Sequence, residues 1–144
     1  MIAEHVIAVL DWFLMEGGEP SYEAPPTTDG GVTLDDGIFE IRFPEFEVYV
    51  GPSTQPISSV MDVSALLRPA MALDSEVIHA WLEPHLESLP SGFELEVLPT
   101  EDGHADNSLW LTARLSTSDF QNHLYPEILS LLMSEARRLH SLSY

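Results

Sequence analysis

Residues 37–50 read Gly-Ile-Phe-Glu-Ile-Arg-Phe-Pro-Glu-Phe-Glu-Val-Tyr-Val, and they decide the fold. Phe39, Ile41 and Phe43 fall on one side of an extended chain, with Glu40 and Arg42 on the other. Pro44 and Glu45 break the run, after which Phe46, Val48 and Val50 alternate with Glu47 and Tyr49. A period of two suits a strand and not a helix. Two such runs around a short break predict an antiparallel hairpin. Pro44 then belongs in the turn or at an edge, because it has no N–H to give a ladder.

Upstream, residues 2–15 predict a helix. Ile2, Val6, Val9, Leu10 and Phe13 recur at helical spacing, and Ile7, Trp12 and Leu14 widen the apolar surface beyond one stripe. Gly17 and Gly18 end it. Residues 17–31 hold Pro20, Pro25, Pro26, Gly30 and Gly31 and predict a flexible loop. Downstream, residues 57–67 predict a weaker third strand carried by Val60, Met61, Val63 and Leu66. Asp74 or Ser75 can cap a second helix running to about Ser88, where Val77, Ile78, Trp81, Leu82 and Leu89 make the apolar face. Pro84 inside it predicts a kink or a break.

Phe93, Leu95 and Val97 alternate with glutamates, and Leu109, Leu111, Ala113 and Leu115 alternate with Trp110, Thr112 and Arg114, predicting two more strands. Thr117, Ser118 and Asp119 offer caps for a last helix, in which Pro126 suits the first turn. The predicted class is therefore α+β: a single domain over residues 1–144, with an antiparallel sheet of about five strands and the order α-β-β-β-α-β-β-α. A chain of 144 residues suits one domain and needs no disulfide or metal to hold it together.

Charge narrows the function. Asp and Glu number 24 against 5 arginines and no lysine, a net charge of -19. Such a field repels phosphate backbones and anionic lipid, so neither nucleic acid nor membrane is an expected partner. The ordinary reading of the acidity is solubility, or adaptation to a salty cytoplasm with a high-GC genome. The functional reading is attraction of a basic partner. The absence of cysteine removes thiol chemistry and fits a reducing compartment. No apolar run approaches the roughly 20 residues of a membrane span, and the start lacks the marks of a signal peptide. A cytoplasmic protein is expected.

Catalytic patterns are thin. No lysine exists for a phosphate-binding loop, and neither Gly-Gly pair lies between a strand and a helix. His5, His79, His85, His104, His123 and His140 are scattered, with no pair at the helical spacing of a zinc enzyme. The densest polar group is Glu101, Asp102, His104, Asp106 and Asn107. It reads either as a loose cation site or as a solvated hairpin turn, and it lacks the ligand order of a calcium loop. No enzyme activity, cofactor or metal is expected.

The aromatics are more informative. Phe39, Phe43, Phe46 and Phe93 fall in the core phase of their segments, whereas Trp12, Tyr49 and Trp110 fall on faces that would otherwise be polar. Either a second layer covers those faces, or they form a binding surface of apolar anchors in an acidic rim.

The element order resembles the type III secretion chaperone-like fold, which includes the secretion chaperones and the YbjN-like family. The likeness is carried by residues 2–15, the hairpin from Ile38 to Val50, and the closing run Leu109-Trp110-Leu111-Thr112-Ala113-Arg114-Leu115 followed by residues 124–142. It is a match of order and size, not of a residue motif. The resemblance implies a homodimer that keeps another, often secreted, protein bound. It would place the partner on Val6, Phe13, Phe39, Ile41 and Tyr49, and the dimer contact on Trp81 and Leu82. The expected function is a non-enzymatic chaperone or adaptor. The alternative is an acidic inhibitor or immunity protein that neutralises a basic toxin or nuclease.

Overall fold

The computed structural model describes residues 3–20, 39–52, 59–99 and 106–142. Helix α1 (Ala3–Met15) leads into β1 (Glu19–Pro20), β2 (Phe39–Arg42), β3 (Glu47–Pro52) and β4 (Ser59–Met71). Then come α2 (Ser75–Leu86), β5 (Phe93–Pro99), β6 (Asn107–Ser116), α3 (Thr117–Gln121) and α4 (Tyr125–His140). The predicted class and order hold, with two additions. The segment expected to open as a loop pairs at once, Glu19 with Arg42 and Pro20 with Ile41, giving a short edge strand. The last helix is divided in two.

The sheet runs β1-β2-β3-β4-β6-β5, every neighbouring pair antiparallel. The predicted hairpin is β2–β3, closed where Phe43 N donates to Phe46 O at 3.0 Å. Because β6 opposes both β4 and β5, those two run the same way, and α2 carries the chain between them across β6. The third strand, expected to be weak, is the longest and lies at the centre. Met61, Val63, Ala65 and Leu67 are its core phase. Asp62 and Ser64, which diluted its apolar pattern, occupy the other face.

A register shift near Leu66 and Arg68 lets β4 keep both Leu67 and Arg68 against the single residue Leu109. Such a bulge re-aims a side chain. Arg68 turns to the helices, where Nη2 donates to His140 O at 3.1 Å and to Leu142 O, and its guanidinium lies 5.4 Å from the centroid of Trp81. His140 Nδ1 in turn bonds Leu67 O at 3.0 Å, which makes that nitrogen the donor. The C-terminal end of α4, where carbonyls lack helical partners, is thus tied to the middle of the sheet.

Helix ends follow local chemistry. Gly17 has φ of 96°, the left-handed turn that stops α1. Ser116 caps α3 reciprocally with Asp119, one residue before the expected caps. His123 at φ 52° then breaks the path, and Pro126 starts α4. Pro84 lies inside α2, which ends at Leu86. The helix runs only two residues past the proline and stops short of the expected Ser88, in keeping with the loss of one i→i−4 hydrogen bond and the ring's clash with the carbonyl four residues back.

One core forms between a sheet face and the helices. Phe13, Ile41, Met61, Leu67, Leu111, Leu115 and Leu132 are among its fully buried side chains. The phases of Val48, Val50, Val63, Ala65, Leu109 and Ala113 join it from the strands, and Ile78, Leu82, Leu129, Ala136 and Leu139 from α2 and α4. No described helix is long and apolar enough to cross a membrane.

Candidate functional site

Strand residues one step out of phase with the core line the opposite face of the sheet. Reading across the ladder, one row is Glu40, Tyr49, Ser64, Thr112 and Glu94, and the next is Arg42, Glu47, Leu66, Trp110 and Glu96. The buried residues of the described helices all belong to the core on the other side. This second face therefore carries no described helical layer, and it is where Tyr49 and Trp110 sit.

The two rings meet with centroids 5.3 Å apart and planes tilted by 58°. Each is held from behind. Tyr49 Oη donates to Glu47 Oε2 at 2.5 Å. Trp110 Nε1 donates to Ser108 Oγ at 2.9 Å, and Ser108 Oγ donates in turn to Leu98 O at 3.1 Å. Beneath them, Ser64 and Thr112 share a hydroxyl hydrogen bond of 2.8 Å across β4 and β6. Satisfied polar groups under the rings fix their position without drawing them toward water.

Charge surrounds the pair. Glu40, Glu47, Asp62, Glu94 and Glu96 face out against Arg42 and Arg114, five carboxylates to two guanidiniums, an excess of three negative charges. Arg114 is already engaged, at 2.8 Å from Glu94 and 3.6 Å from Asp62. The hydrogen bond to Glu94, more than any other effect, lifts it above the ordinary arginine range. Tyr49 is pushed well above the usual phenol range, first by burial, then by its bond to Glu47 and the charges of Glu47 and Glu40. Its hydroxyl stays protonated and serves as a donor.

The expected partner-binding residues do not come together on a surface. Val6, Phe13 and Ile41 are completely buried in the core of the single chain. Phe39 is half-buried and packs against that core from the edge side of the sheet. Only Tyr49 lies on the face that carries no described helical layer, and it is itself half-buried there. Val9 and Leu10 of the first helix are buried in the same core and Trp12 packs against it, whereas Ile7 and Leu14 are only partly covered and Met15 is exposed. The expected dimer residues fare similarly. Leu82 is buried within the chain, and half-buried Trp81 lies beneath Arg68.

Trp110, Leu66, Glu47 and Glu96 join Tyr49 instead. For Trp110 and Leu66 the signal was parity, since each occupies the polar phase of its strand, where an aromatic or leucine is out of place; Glu47 and Glu96 are ordinary there. Of the polar group at 101–107, Glu101, Asp102 and His104 lie outside the described residues, and Asn107 Nδ2 donates to Leu73 O at 2.8 Å. Among the described residues no three His, Asp or Glu side chains gather in a metal-holding group.

No family model, curated protein or solved structure matches this chain.

Proposed function

We propose that this protein is a non-enzymatic chaperone or adaptor that holds a partner protein on the open face of its sheet. The observation that carries the reading is the Tyr49–Trp110 pair with Leu66, an aromatic and aliphatic centre standing in the polar phase of three adjacent strands. Around it lies an acidic rim. Apolar anchors at the centre and charge at the margin are the usual anatomy of a protein interface. The element order, which resembles that of the secretion chaperone-like fold, suits the same reading, and a cytoplasmic location is part of the proposal. If the protein pairs with itself, Leu82 cannot supply the contact, since it is spent inside the chain.

Amide hydrogen exchange tests this. Adding a bound partner should protect residues 47–50 and 108–112 and leave α1 unchanged. Protection confined to α1 or to the helical side would overturn it.

The charge of -19 favours a second reading, an acidic inhibitor of a basic toxin or nuclease. Salt separates the two. Charge-led binding weakens steeply with ionic strength, and binding led by aromatic burial weakens far less.

A further inference from the structure

We infer that the outer edge of β5 takes up an extended segment of the partner protein as an added strand, one whose residues alternate between apolar and basic. The inference rests on the protein-binding reading above and deepens it by naming the mode of capture. The sheet ends in β1 on one side and β5 on the other. β1 is two residues long and closes on Pro20, which has no N–H to offer a ladder. β5 is seven residues long, with its proline only at the last position. It pairs with β6, and among the described residues no strand lies on its outer side. Such an edge presents a row of backbone donors and acceptors to which a further strand can pair.

Side chains of an added strand alternate between the two faces, so each face selects half of its residues. On the helical side, Phe93, Leu95 and Val97 pack at the margin of the core and are only half-buried. Beside them Leu86, Leu89, Pro90 and Phe93 line an open groove of about 420 Å³ between the end of α2 and β5. Leu86 is 44% exposed there. Apolar residues of the added strand would cover this strip. On the other face stand Glu94 and Glu96. Arg114 of β6 reaches Glu94 at 2.8 Å, so a basic side chain one strand away already answers that position from the inner side. Glu96 forms no ion pair among the described residues. Residues 75–99 carry Glu76, Glu83, Glu87, Glu94 and Glu96 and neither lysine nor arginine, so basic residues must come from the partner. A second copy of this chain is a poor occupant. Antiparallel pairing of β5 with itself about a two-fold axis at Glu94, Leu95 or Glu96 sets a glutamate directly opposite a glutamate, which is destabilising.

The test uses the full chain and two short peptides. One alternates valine with arginine. The other has the same side chains and charge, but every backbone nitrogen is methylated, so it cannot donate to a ladder. The first should bind and protect the amides of residues 93–98 from hydrogen exchange, and the methylated peptide should bind about tenfold more weakly. Glu96→Lys, with circular dichroism confirming the fold, should weaken the first peptide several-fold. The comparison of the two peptides needs no variant and stays decisive if Glu96→Lys fails to fold. Equal binding of the two peptides would show mere attraction to net charge and overturn the strand addition. So would no binding of either, or binding that leaves residues 93–98 unprotected. A mass that doubles with concentration, with residues 93–98 protected in the chain alone, would give the edge to a second copy and overturn it as well. If a protein partner protects residues 47–50 and 108–112 but not 93–98, the docking face stands and only the added strand falls. If no partner protects any of them, both fall.

Discussion

Tyr49 and Trp110 touch diagonally across the central strand. In the ladder Tyr49 is level with Ser64 and Trp110 with Leu66, yet their ring centroids are 5.3 Å apart. Strands β3 and β6 lie on either side of β4, at roughly twice the 4.7–4.9 Å strand spacing, a gap that only long or aromatic side chains span. The contact thus depends on ring size at both positions, and the small Ser64 and Thr112 leave the space in which the rings meet.

That contact should be measurable as a coupling energy. In a double-mutant cycle of Tyr49→Leu and Trp110→Leu, urea denaturation should show an interaction of about 0.5–1.5 kcal/mol beyond the two single effects. Simple additivity would mean the rings do not stack in solution.

Tyr49 should also leave a mark on alkaline stability. Its phenol is raised in the folded chain, chiefly by burial and by Glu47. The unfolded tyrosine loses its proton near pH about 10, while the folded one keeps it. The contribution is therefore complete below the unfolded value and is lost as pH climbs from there through the higher folded value. Tyr49→Phe has no proton to lose. The stability gap between the two proteins should shift in favour of Tyr49→Phe as pH rises past about 10. Parallel pH profiles in chemical denaturation would contradict this.

Gly18 marks where the first helix turns onto the sheet. A Cβ there would lie 2.5 Å from Ile41 Cγ2, 2.8 Å from Phe43 Cζ and 3.1 Å from Phe13 O. Two of these are packed core side chains and the third is backbone, so little can give. Gly18→Ala should cost about 1–3 kcal/mol in unfolding free energy. Gly17→Ala is the contrasting control. Nothing stands within 4 Å of a Cβ at that site, so any loss there comes from its φ of 96° and not from a clash.

Much of the architecture was legible because side-chain period reports backbone geometry. Residues 39–50 alternate so cleanly that hairpin and register follow. The central strand was harder. Half of its positions are Asp62, Ser64 and other residues that suit an open face, and a sheet with one bare side gives a diluted pattern. The split between α3 and α4 hung on His123, whose left-handed backbone no composition rule signals. The division into Glu19–Pro20 as a strand was hidden by proline, which reads as a breaker even where it borders a sheet edge.

The candidate site divides the same way. From sequence, Val6, Phe13 and Ile41 looked like surplus apolar surface, because one cannot count core volume along a line. Tyr49 and Trp110 were recognisable as misplaced aromatics, 61 positions apart in the chain.

By itself the amino-acid order determined the α+β class, most of the sequence of elements, the acidic field and the phase of the residues in β2, β3, β5 and β6. Those are local or summed properties, set by adjacent side chains and by total charge. Tertiary structure decided which oily residues were consumed inside the chain, and it brought β3 and β6 to either side of β4 so that two distant rings meet. Burial and contact depend on which strands become neighbours, and that is settled only when the whole core closes at once.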